Sequence, residues 1–160
     1  MPLIRNAILG AFLLIASAAT PLYALEAGDF PAPGFRVIDT PHGFGALVKK
    51  LNSAIKGNGM AAVTRASATK GAASLGVTIP GNMVIGVYHP KFAVRMLEAS
   101  IPAGVEAPLI FYITENADGT ASLSYRKPSA VFAPYGSDDL DTMAAELDII
   151  FAAIATAATK

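Results

Sequence analysis

Apolar residues at Phe44, Leu47, Val48, Leu51 and Ile55 recur at offsets of 0, 3, 4, 7 and 11. That is one face of a helix, and Lys49, Lys50, Asn52 and Lys56 occupy the other. Thr40-Pro41 ahead of the stripe reads as an N-cap followed by proline at the first helical position. Gly57-Asn58-Gly59 behind it tolerates the left-handed backbone of a helix end. A second long stripe, Leu140, Met143, Ala144, Leu147, Ile150, Phe151 and Ile154, predicts a C-terminal helix. Ser137 or Asp138 would cap it, and Asp139 and Asp141 sit favourably in its first turn.

Between these helices the period shortens. Residues 35–39 and 60–65 read as strands, and residues 67–75 as a short helix opened by Ser67 and closed by Gly76. Residues 83–88 (MVIGVY) are apolar nearly throughout, which suits a central strand covered on both faces. His89-Pro90 ends that strand, because proline cannot continue it. Residues 91–100 then return to helical spacing, with Phe92, Ala93, Met96, Leu97 and Ser100 inward. Residues 109–114 and 120–126 flank the turn Asn116-Ala117-Asp118-Gly119 and predict a hairpin. In its second strand Ala121, Leu123 and Tyr125 alternate with Ser122, Ser124 and Arg126, which implies one wet face. Residues 127–136 read as a loop. The order is β-α-β-α-β-α-β-β-α, an α/β (α+β) single compact domain with helices packed on a mixed or antiparallel sheet.

The first 24 residues do not belong to this pattern. Arg5 supplies a positive start, residues 7–19 are apolar, and Leu22-Tyr23-Ala24 offers a cleavage site. The apolar stretch is shorter than the roughly 20 residues of a spanning helix, so residues 1–24 read as a removed signal peptide. The product is expected to be periplasmic or secreted, with no membrane attachment after removal. Residues 25–34, rich in Pro and Gly, read as a mobile lead-in, residues 35–136 as the domain, and residues 137–160 as a helix packed on it.

Arg5 is the only charge in the signal, so 11 basic and 12 acidic residues remain, a net charge of −1. Near-neutrality offers no basic face for nucleic acid. The chain has no cysteine, which excludes disulfides, a catalytic thiol and cysteine metal sites. Its two histidines, His42 and His89, leave little material for a histidine metal site or a triad. No G-x-S-x-G, P-loop, dinucleotide-binding glycine motif or EF-hand occurs. No metal or cofactor is expected.

The helix ending in Gly57-Asn58-Gly59, the Gly76…Ile79-Pro80 turn, the strand closed by His89-Pro90 and the Pro108-led strand before Asp118-Gly119 carry a resemblance. They are similar to the Domain of Unknown Function 302 family, over residues 35–128. The resemblance implies a compact α/β domain, often a homodimer, and no settled activity or functional residue. His89-Pro90 stands where members commonly show Asn-Pro, and the helix from Asp138 onward resembles an added element.

The strand-to-helix junction is the candidate site. A helix starting near Pro90 would aim free N–H groups at the carboxyl end of a strand, a place that suits an anion. Lys91 and Arg95, one helical turn apart, would add charge, so His89, Lys91 and Arg95 are the expected ligand-binding residues. No catalytic residue is assigned. His42 is read as a surface residue in the first turn of the first helix. Met60, Met83, Met96, Met143 and His89 raise copper, but Met83 and His89 lie six residues apart on one strand, roughly 20 Å. The methionines are therefore read as core filler. The expected function is an exported, non-enzymatic domain binding a small molecule or protein partner. The competing reading is a periplasmic enzyme acting on an anionic substrate at the His89/Lys91/Arg95 junction.

Overall fold

The computed structural model describes residues 25–160, so the export segment lies outside the described residues. Five strands, β1 (Phe35–Thr40), β2 (Ala61–Ser67), β3 (Asn82–Tyr88), β4 (Leu109–Glu115) and β5 (Ala121–Arg126), form one sheet. Its order is β1-β5-β4-β3-β2 and every pairing is antiparallel. The helices are α1 (Phe44–Gly57), α2 (Ala68–Ser74), α3 (Pro90–Ala99), α4 (Pro128–Phe132) and α5 (Asp138–Thr159).

The register places Ile85 opposite Phe111 and Phe111 opposite Tyr125, so these three lie in one row on one sheet face. Against that face pack Leu47, Leu51 and Ile55 of α1 and Leu140, Met143, Leu147, Phe151 and Ile154 of α5, all buried. Phe151 stacks on Phe111 with ring centroids 4.8 Å apart. Both helical stripes predicted from spacing are therefore the core. At 22 residues, α5 is long and apolar enough to cross a membrane. Here its stripe is taken up by packing on α1, α3 and α4.

Four local expectations change. Helix α1 begins at Phe44 with Gly43 as its N-cap, not at Thr40. Thr40 belongs to β1, where its hydroxyl donates to Ala121 O (2.7 Å) and accepts from His42 N–H (3.2 Å). Cross-strand bonding has claimed the side chain that the sequence offered as a cap. His42 accordingly precedes the helix, with Nε2 3.0 Å from Lys160 O. Strand β3 lies between β4 and β2, with Ile85 and Val87 buried on the core side and Asn82, Val84 and Tyr88 only half-buried on the other. On its other side a Cβ at Gly86 would overlap Thr64 and stand 2.7 Å from Pro108 Cγ. Gly86 is thus a point of close approach to Thr64 and Pro108.

Residues 127–136, expected as a loop, contain α4 and a 3-10 turn at Ala133–Tyr135. The reason lies far off in sequence. Asp148 of α5 accepts from Ser129 N–H (2.9 Å) and from the Ser129 hydroxyl (2.7 Å), satisfying the start of α4. Finally, Ser122 and Ser124 are fully buried, so the predicted wet face of β5 is dry at both. Ser124 lies between Val37 and Tyr112, and Ser122 between Asp39 and Thr114, and these larger neighbours shade them. The lead-in carries a 3-10 turn at Ala27–Asp29. Its end is tied down by Phe30 stacked on Phe35 (3.9 Å) and Lys127 N–H bonded to Gly34 O (2.9 Å).

Candidate functional site

His89 is the N-cap of α3, in an extended conformation (φ −148°, ψ 128°), with Pro90 at the first helical position. Its Nδ1 accepts from Lys91 N–H at 3.1 Å. The junction predicted from His89-Pro90 is therefore real, but the imidazole itself satisfies a helix N–H that an anion would have used. Accepting at Nδ1 also places the proton of the neutral ring on Nε2, so His89 presents a donor rather than a lone pair. The ring lies edge-on to Phe92, with centroids 5.9 Å apart.

Arg95 is drawn away from that place. Arg95 forms a bidentate pair with Glu146 of α5, at 2.7 and 2.8 Å, and its guanidinium lies 5.7 Å from the Phe92 ring centre. Glu146 holds the Arg95 pKa above its usual value, chiefly through the hydrogen bond. In turn the Arg95 hydrogen bond holds the Glu146 carboxyl below the usual range, helped by the positive charges of Arg95 and Lys91. Arg95 thus serves a carboxylate that lies 51 residues beyond it in sequence. The ligand crevice at strand carboxyl ends is a property of parallel sheets. In this antiparallel sheet neighbouring strands run oppositely, and the rule supplies no such crevice.

Beneath His89 the structure assembles something the sequence did not show. Met60 before β2, Met96 of α3 and Met143 of α5 are buried and line one recess with His89, Phe92 and Phe132. The recess has a volume of about 30 Å³, space for about two water-sized groups, since one needs roughly 10–15 Å³. Met83, the methionine used to argue against a shared site, pairs with Ile113 elsewhere on the sheet. The other three reach His89 from separate elements, and nothing in their spacing signals it. Three thioethers and an imidazole would suit a soft metal. The lone pair that His89 would need is the one committed to Lys91 N–H or replaced by the Nε2 proton, so the set does not fit a metal. Among the described residues no group of three His, Asp or Glu side chains is placed to hold a metal ion.

The family model described as "Domain of unknown function DUF302" matches residues 37–157. This chain belongs to the DUF302 family. The match runs through α5, so the C-terminal helix is part of the DUF302 domain and not an addition to it, as its central place in the core requires. Among solved structures, an uncharacterized conserved DUF302 protein from Bacillus stearothermophilus is similar, with a TM-score of 0.72 at 19% identity. The alignment covers 81% of this chain and all of that one, and shows a shared fold. No curated protein matches the chain.

Proposed function

We propose that this DUF302 domain is exported and non-enzymatic, and binds a small ligand whose apolar end enters the recess beneath His89. The observation that carries the reading is the convergence of Met60, Met96 and Met143 on a recess whose other walls are apolar apart from His89 and Tyr88. Thioether side chains adapt their shape to a ligand at little cost. His89, pinned through Nδ1, would donate from Nε2 to a carbonyl or ether oxygen of that ligand. The same pinning weighs against catalysis, because a general base at His89 would have to give up its bond to Lys91 N–H. The pairing of Arg95 with Glu146 weighs against an anionic substrate.

The export half of the reading rests on residues 1–24 and is tested by N-terminal sequencing of the secreted product, which should begin at Leu25 or within a few residues of it. A product that starts at Met1 and stays with membranes defeats it. For the ligand half, methionine methyls are labelled and the protein is titrated with acetone, 2-butanone and 2-pentanone. The methyl resonances of Met60, Met96 and Met143 should move together while that of Met83 stays in place. An unresponsive set, or an equal response at Met83, removes the site.

A further inference from the structure

Charge is divided along this chain. Residues 40–97 contain seven Lys or Arg and no Asp or Glu, whereas residues 98–160 contain nine acidic residues and three basic ones. The basic stretch builds α1, α2 and the β3-β2 end of the sheet. Within it Arg95 is paired with Glu146, and Lys50 donates to Lys160 O at 2.7 Å. Lys49, Lys56, Arg65 and Lys70 are exposed and form no ion pair among the described residues. Three of these four gather beside β2. The Arg65 guanidinium bonds Asn52 Oδ1 on α1. Lys49 lies three residues before Asn52 and Lys56 four after it, which puts both on the Asn52 face of the helix. Between Asn52, Ser53 and Lys56 of α1 and Ala61, Ala62 and Arg65 of β2 runs an open groove of about 510 Å³. Strand β2 ends the sheet, and five of its seven residues are exposed. Its small side chains leave the outward backbone N–H and C=O groups uncovered. The opposite edge differs, because Phe30 of the lead-in stacks on Phe35 of β1.

We propose that the groove between α1 and β2 binds a short, extended, acidic segment of a protein partner, which adds to the β2 edge as a further strand. Main-chain bonds to the edge give such a segment its affinity, and side chains at alternate positions give it specificity. Arg65 stands opposite the buried Ile85 in register, so its side chain lies on the α1 side of the sheet. Acidic side chains at every second residue of the added strand therefore face Arg65 and the α1 lysines together. The bulge between Ala62 and Thr64 works against a long flat partner such as a second β2. A short segment avoids it. The acidic remainder of the domain repels the same segment and steers it toward the basic end. This groove shares only Met60 with the recess beneath His89, and the proposal does not rest on that reading.

The test uses the full-length protein and a dye-labelled, capped Glu-Val-Glu-Val-Glu peptide, read by fluorescence anisotropy. Two further forms of the peptide, N-methylated at the glutamates or at the valines, carry the same charge. Successive N–H groups of a strand face opposite edges. One form should therefore bind like the unmethylated peptide and the other at least about tenfold more weakly, the loss expected for two or three hydrogen bonds. Equal binding of the two forms would mean that the cations attract any polyanion without forming a strand, and overturns the proposal. So does a failure of the unmethylated peptide to bind. Lys56→Glu combined with Arg65→Glu should lose the acidic peptide and gain Lys-Val-Lys-Val-Lys, which the parent does not bind. An unchanged preference in that variant overturns the charge assignment and the proposal with it. Should the variant fail to fold, the two methylated forms on the parent decide alone. In the labelled parent, the outward amides of β2 should exchange readily and become protected when peptide is added. Protection before any peptide is present means that another copy already covers the edge, and that result also overturns the proposal.

Discussion

Asp148→Ala removes the carboxylate that ties α5 to the start of α4. Three contacts go at once: Ser129 N–H at 2.9 Å, the Ser129 hydroxyl at 2.7 Å and Lys127 Nζ at 3.0 Å. The Asp148 side chain is only 17% exposed, against 37% for Lys127. A hydrogen bond to a charged group contributes about 1.5–3 kcal/mol, and an exposed lysine adds about 0–1 kcal/mol. The contacts share one carboxylate and do not add fully, so the expected loss is about 2–4 kcal/mol by urea unfolding at pH 7. Asp148→Asn keeps an acceptor for Ser129 N–H and should lose about half as much. The pH dependence supplies a sharper check. Burial pushes the Asp148 carboxyl up, but the Ser129 N–H, the Ser129 hydroxyl and Lys127 together hold it below the ordinary carboxylate value. The folded pKa is therefore below the unfolded value of about 3.9. Its stabilisation is complete above that value and is lost as pH falls through the folded pKa. The gap between parent and Asp148→Asn should thus be full at pH 7 and close progressively once the pH drops below about 4. A gap under about 0.5 kcal/mol at pH 7, or one equally large in strong acid, would refute the account.

Leu51 and Ile85 are both fully buried, and replacing either with Ala should cost on the order of 2–5 kcal/mol in urea unfolding. Losses below about 1 kcal/mol at both would mean that neither holds the core together. Glu146→Gln should free Arg95, so that sulfate raises the melting temperature of the variant but not of the parent, an effect that fades as NaCl is added. If the two proteins respond alike, Glu146 is not what occupies Arg95.

Much of the fold was legible because its signals are local. The α1 stripe needs only 3.6-residue periodicity, and the hairpin turn needs Gly119, which adopts φ +82°. Ser67 caps α2 by accepting from Lys70 N–H, three residues on. Where a polar side chain had two suitors, local reading chose the wrong one. Thr40 was offered to a helix start and was claimed by Ala121, 81 residues away. The loop at 127–136 became helical through Asp148, and β5 lost its wet face to larger neighbours on β1 and β4.

The candidate site divides along the same line. Sequence alone determined that a helix starts at Pro90 and that His89 stands at its head, because proline's fixed φ and missing N–H confine it to that position. It determined which faces of α1 and α5 are apolar, since burial of that surface drives folding and its spacing is written in the chain. Only the tertiary structure decided what His89, Lys91 and Arg95 do. Glu146 reaches Arg95 and draws on the charge of Lys91 because α5 lies beside α3. The grouping of Met60, Met96 and Met143 and the meeting of Asn52 with Arg65 have the same origin. Periodicity records which side chains leave water. Which partners they meet there depends on how separate elements are laid against one another, and no short stretch of sequence contains that.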